Sequence, residues 1–311
     1  MSAPTKQIWA ALLVIYFVWG STYLGIKIAV ETLPPLLAAG TRFLAAGAIL
    51  MVILAIRGTS LRVSRRELAS AALAGLLLLT LGVGVVHIAE TRIDSSVAAM
   101  IAGTVPLQMI LFRTVSGDRV SRAMRIGTLV GLVGLALVLL PGFRSGSTAV
   151  GLVVMLFASI SWSTGSFLSP RLSMPRDPFV AAAYEMLAGG LFLTSVALAT
   201  GDWRDLGGVS GNSLAAWLYL VVAGSVVGFT AYAWLLRSAP ISLVVTHQYV
   251  NPLVAIVLGM LVLGERPSPF ALAGAALVLS AVYVAVRAES PRATARPASV
   301  SLRETPADQS A

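Results

Sequence analysis

No cysteine occurs in the 311 residues, which excludes disulfides, thiol nucleophiles and thiolate metal sites. Histidine is nearly as scarce, at two residues. Charge is thin as well: Asp, Glu, Lys and Arg make up 11% of the chain, whereas soluble domains carry about 25%. No GxxxxGK[ST] segment is present, so the chain has no phosphate-cradling loop with which to use ATP. An intramembrane enzyme would need a nucleophile, a base and an oxyanion stabiliser in one cavity, and this inventory supplies them poorly. The chain is therefore expected not to be an enzyme and to need no cofactor.

What is abundant is apolar. Hydrophobic residues form 57% of the sequence and fall into ten runs, roughly 8 to 30, 35 to 56, 68 to 89, 94 to 112, 124 to 140, 150 to 169, 179 to 200, 214 to 236, 241 to 263 and 269 to 287. Runs of this length span a bilayer, and the connections leave no room for a soluble domain. A net charge of +9 could suggest nucleic acid, but the arginines sit in short loops, where topology explains them. Sixteen Lys and Arg lie on one side of the alternating spans and four on the other, which predicts both termini in the cytoplasm. The first run has only Lys6 before it and no cleavage site after it, so it is expected to stay as a helix. The polar stretch 289 to 311 reads as a disordered cytoplasmic tail.

An internal repeat organises the rest. A shift of 143 aligns Trp19 with Trp162, Pro35 with Pro178, and residues 41 to 47 with 184 to 190; shifts of 146 and 147 align Pro106 with Pro252 and Gly117-Asp118-Arg119 with Gly264-Glu265-Arg266. Each unit holds five spans, and an odd number turns the second unit over. The expected fold is an all-α membrane protein: ten transmembrane helices as two inverted repeats, 1–144 and 145–288.

Interrupted helices in matching positions point to a midplane transport site. Four interruptions qualify: Trp19-Gly20 and Trp162-Ser163 in spans one and six, Pro106 and Pro252 in spans four and nine. Close helix packing is the plainer reading of the same residues. Thr22 and Tyr23 share the first cluster, and Tyr232, Tyr249 and Asn251 add an amphipathic wall in spans eight and nine. These residues form the expected substrate path.

Ionisable residues at membrane depth are functional candidates. Lys27 with Glu90 or Glu31 forms either a gate-like ion pair or a structural one near the interface. His87 and Glu90 show HxxE spacing, but a di-metal bundle needs two such motifs, so no metal is expected. His87 and His247 are candidates for proton coupling or for helix packing. Arg42 and Glu185 occupy equivalent positions and are expected to be structural charges, with Asp94 and Arg237 as respective partners.

Trp19-Gly20-Ser21-Thr22-Tyr23, Pro34-Pro35 followed by residues 39 to 47, Val105-Pro106, Asn251-Pro252 and Gly264-Glu265 together resemble the EamA-type transporters of the drug/metabolite transporter superfamily, most of all their YedA-like branch. The resemblance covers residues 8 to 287. It departs at Asp118, where many relatives have glutamate. It implies a bacterial inner-membrane protein exporting small metabolites, amino acids or drugs through a central cavity. A flippase for lipid-linked or head-group substrates is the alternative within transport. The expected partners are a small-molecule substrate and the lipid bilayer, with no nucleic acid. Small-residue faces at Gly75, Gly82 and Gly84 leave the oligomeric state open.

Overall fold

The structure, a computed structural model, describes residues 5–117, 122–139, 146–239, 244 and 247–289. Asp118 and the tail from 290 lie outside that set, as do the side chains of Arg237 and Tyr249. Among the described residues every regular element is helical. In chain order these are α1 (Thr5–Ala29), α2 (Pro35–Ile56), α3 (Arg65–Glu90), α4 (Ser95–Val115), α5 (Arg122–Leu139), α6 (Gly146–Leu168), α7 (Pro178–Thr200), α8 (Gly211–Leu235), α9 (His247–Leu258) and α10 (Pro269–Glu289). Seven of them, α1 to α4 and α6 to α8, are long and apolar enough to cross a membrane, and two shorter apolar stretches lie at Val250–Leu263 and Leu272–Ala281.

Local chemistry sets the helix ends. Pro35 and Pro178 stand at first-turn positions, where a missing N–H costs nothing. Ser64 and Glu67 close a reciprocal capping box at the start of α3, and the Asp177 carboxylate accepts from the Phe179 and Val180 amides at the start of α7. Gly201 ends α7 with φ at 79°, a left-handed value that glycine adopts without steric cost.

The expected interruptions of spans one and six are not there: α1 and α6 run through Trp19-Gly20 and Trp162-Ser163 unbroken. The hydroxyls that suggested a break bond back to their own helix instead. Ser21 donates to the Phe17 and Val18 carbonyls, Thr22 to Trp19, Thr164 to Ile160 and Ser166 to Trp162. Pro252 likewise lies inside a continuous α9. A true interruption falls in α4, where the helix turns at Gly103-Thr104 before restarting with Pro106 in its first turn. Gly103 leaves room there for Pro252, whose Cγ would stand 3.1 Å from a Cβ at that position. Nothing in the sequence announces the three π-helical stretches among the described residues, Leu76–Gly84 within α3, Leu220–Val227 within α8 and Gly259–Leu263 after α9.

The helices pack so that α2 lies on α7, α5 on α10, α1 between α8 and α9, and α6 between α3 and α4. Small residues set these distances. A Cβ on Gly40 would come 2.7 Å from the Thr194 amide nitrogen, and one on Gly190 would come 2.6 Å from that of Leu44, so α2 and α7 meet backbone to backbone. Large apolar side chains such as Phe17, Val52, Leu191 and Leu261 point outward, as a lipid solvent allows.

Candidate functional site

A cavity of about 780 Å³, counted to its mouth, opens among α1 to α4 and α6 to α9. Its floor is aromatic. The Trp19 and Trp162 rings meet edge to face, with centroids 6.0 Å apart at 87°. Tyr232 lies 4.9 Å from Trp19, and the His247 imidazole 5.2 Å from it. The Trp19 indole N–H donates to the Gly224 carbonyl at 3.1 Å, within the π-helical stretch of α8. Such stretches redirect backbone carbonyls away from the regular ladder and recur at functional sites.

Polar groups enter this apolar wall at a few points. Arg42 from α2 donates through Nε to the Ser225 hydroxyl at 2.9 Å and lies with its guanidinium 5.0 Å from the Phe43 ring centre. Gln248, Asn251 and His247 line the α9 side. The Asn251 amide nitrogen, oriented to satisfy its neighbours, donates to the His247 carbonyl at 2.9 Å and the Tyr16 carbonyl at 3.3 Å. Opposite, the Gln108 amide donates to Ser159 at 2.7 Å and accepts from Ser163 at 2.7 Å, tying α4 to α6.

Of the expected substrate path, Trp19, Thr22, Tyr23, Trp162 and Asn251 line the cavity. Tyr232 backs the aromatic floor, and the Tyr249 side chain lies outside the described residues. Gly20 does not line it: a Cβ there would meet the Val254 Cβ at 2.6 Å, so this glycine serves the contact of α1 with α9. Ser163 is fully buried in the Gln108 bond and also stands behind the wall, as does Pro106. Glu185 is buried outside the cavity, and its expected partner Arg237 has a side chain outside the described residues.

Two charge assignments are corrected. Lys27 does not meet the carboxylate of Glu90 or Glu31; its ammonium donates to the backbone carbonyls of Glu90 at 2.7 Å and Ile93 at 2.8 Å. It thereby caps the C-terminal end of α3, where free carbonyls and the helix dipole favour a cation. Arg42, expected to pair with Asp94, bonds Ser225 instead and faces the cavity. His87 and Glu90 are wholly buried away from the cavity: His87 Nδ1 donates to the Val83 carbonyl at 2.9 Å, while its Nε2 and both Glu90 carboxylate oxygens have no partner among the described residues. His247 repeats this arrangement at the cavity wall, with Nδ1 on the Val244 carbonyl at 2.7 Å and Nε2 unpartnered among the described residues. Gln108, Ser159 and Ser225 escaped the sequence reading, since one short polar residue in an apolar run gives no sign of its direction.

At one end of the bundle Glu265 reaches across from the loop before α10. Its carboxylate accepts from the Ser95 amide at 2.9 Å, the Ser95 hydroxyl at 2.7 Å and the Ser96 amide at 3.1 Å, capping the start of α4. At the same end the Leu37 amide donates to Asp202 at 2.9 Å, and the Ser213 hydroxyl to the Ile28 carbonyl at 2.8 Å.

A cavity built from eight helices of an otherwise apolar bundle suits a permease, and comparison with known proteins decides the family. The EamA-like transporter family matches twice, over residues 7–140 and 149–287. The chain belongs to that family. It is 38% identical over 263 residues to the uncharacterized inner membrane transporter YedA of Escherichia coli K12, covering 84% of each chain. It is 28% identical over 279 residues to protein PecM of Dickeya dadantii, covering 86% of this chain and 88% of that one. A crystal structure of a protein 20% identical in sequence matches with a TM-score of 0.64 over 93% of this chain and 100% of the other, a likeness of fold. The chain is thus a membrane transporter of the drug/metabolite transporter superfamily.

Proposed function

We propose that this EamA-like chain is a secondary transporter or facilitator that exports small metabolites, amino acids or drugs by alternating access around the cavity between α1–α4 and α6–α9. The observation that carries the reading is the cavity floor, where Trp19 and Trp162, aligned by the sequence repeat, meet at 6.0 Å. In this reading residues 1–144 and 145–288 are two inverted five-helix repeats, with both termini cytoplasmic. Several facts support it. The family matches twice, once in each half. The contact of Gly20 on α1 with Val254 on α9 has its counterpart in the bond of Ser163 on α6 with Gln108 on α4, as shifts of 143 and 146 require. Two of the three π-helical stretches, Leu76–Gly84 and Leu220–Val227, fall at equivalent positions as well.

The bonds of Glu265, Asp202 and Ser213 then seal the periplasmic end, and rocking of one repeat against the other breaks and remakes them. Counterflow in proteoliposomes tests the function: vesicles preloaded with members of a panel of amino acids, nucleosides and dyes should take up the labelled form of a substrate. Failure across a broad panel, with folded protein in the vesicles, would count against solute transport.

A further inference from the structure

Arg42 is a buried cation in search of an anion. Only 3% of its surface is exposed, on a helix that packs in the middle of the bundle. One of its nitrogens, Nε, is satisfied by Ser225, a neutral acceptor. Nη1 has no hydrogen-bond partner among the described residues. Glu90 is the carboxylate whose field reaches Arg42, yet both of its oxygens are unpartnered among the described residues, so it makes no hydrogen-bonded ion pair with the guanidinium. Also near the guanidinium are the Phe43 ring, the Tyr219 phenol, the His87 imidazole and the backbone at Gly224, where a Cβ would stand 2.9 Å from Nη2. A charge removed from water costs several kcal/mol unless an opposite charge meets it. The forked guanidinium is shaped to take a carboxylate through two parallel bonds.

We propose that Arg42 anchors a carboxylate group on the transported solute, and that the Trp19–Trp162 floor seats the flat, apolar remainder of the same molecule. The proposal rests on the cavity being the substrate path. A single guanidinium, with Lys27 already committed to the end of α3, balances one negative charge, which favours a monoanionic acid over a phosphate dianion. Stacking on Trp19, Trp162 and Phe229 and the amides of Gln248 and Asn251 supply the non-ionic contacts. Neutral amphipathic solutes, which the aromatic residues alone would suggest, leave the guanidinium unpaired.

The test is calorimetric binding to detergent-purified protein of indole-3-propionate and of its neutral amide, with inorganic phosphate as competitor. The acid should bind at least tenfold tighter than the amide, and phosphate should not displace it. In Arg42→Gln the acid should fall to the affinity of the amide, which itself stays unchanged and so reports a folded cavity. Should that variant not fold, Arg42→Lys serves: a point charge without the fork should weaken the acid several-fold and leave the amide alone. Equal binding of acid and amide to the wild type, or an acid preference that survives Arg42→Gln, overturns the carboxylate assignment. If Trp162→Ala also abolishes that equal binding, the cavity reading stands without it. Binding of neither probe overturns the assignment, and failed counterflow across the panel would then remove the cavity reading too.

Discussion

Lys27 meets Glu90 at its backbone, donating to the carbonyl at 2.7 Å, while the Glu90 carboxylate has no hydrogen-bond partner among the described residues. The ammonium thus holds the end of α3 without donating a hydrogen bond to the acid. Lys27→Met should cost about 1.5–3 kcal/mol, the range for hydrogen bonds to a charged donor. Melting in detergent reads this directly, and an unchanged midpoint would show that the cap contributes nothing.

Because its carboxylate makes no hydrogen bond among the described residues, Glu90→Gln should fold at least as well as the wild type. If the buried His87–Glu90 pair carries a coupled proton, the same variant should lose accumulation against a gradient while keeping downhill counterflow. Uphill transport at the wild-type rate would assign both residues to packing.

The two floor tryptophans should respond differently to truncation. Trp19 donates to Gly224 and packs on Tyr232 and His247, so Trp19→Ala should lose about 3–5 kcal/mol of stability. Trp162 makes no such bond among the described residues, and Trp162→Ala should lose transport at a smaller thermal cost. Equal destabilisation by both, with transport intact in the folded fraction, would remove these rings from the substrate path.

Close helix contact should make Gly75 intolerant of a single methyl, since a Cβ there overlaps the Glu185 carbonyl oxygen of α7. Gly75→Ala is expected to cost about 1–3 kcal/mol or more. Gly211→Ala, where a Cβ meets nothing within 4 Å, is the control. Similar melting of the two variants would contradict the backbone contact of α3 with α7.

The proposed topology and seal can be read by labelling, since the chain has no native cysteine. A cysteine placed between Asp202 and Gly211 should react with an impermeant reagent from outside, and tags at both ends should be cytoplasmic. Glu265→Ala, which removes three bonds to the start of α4, should raise labelling of a cysteine at buried Ala98. Protection of the 202–211 loop would reverse the orientation, and unchanged labelling at Ala98 would detach Glu265 from the seal.

The sequence by itself determined the class of molecule, its helical character and its family. Lipid leaves only helices and closed barrels to satisfy backbone groups, so long apolar runs can be read as helices without knowing what they touch. The signature around Trp19 and residues 39 to 47 carried the family, and alignment of Trp19 with Trp162 brought together two rings that do meet. Only the tertiary structure decided where each polar side chain goes. Helical spacing fixes a residue's face relative to its own axis, whereas its partner depends on how neighbouring helices are rotated and how deep they sit. So Gly20, read as a break, is a contact for Val254; Lys27, read as an ion-pair partner, caps carbonyls that every helix has and no residue type reveals; and Arg42, read as a structural charge, faces the cavity because glycine at 224 and serine at 225 leave it room there.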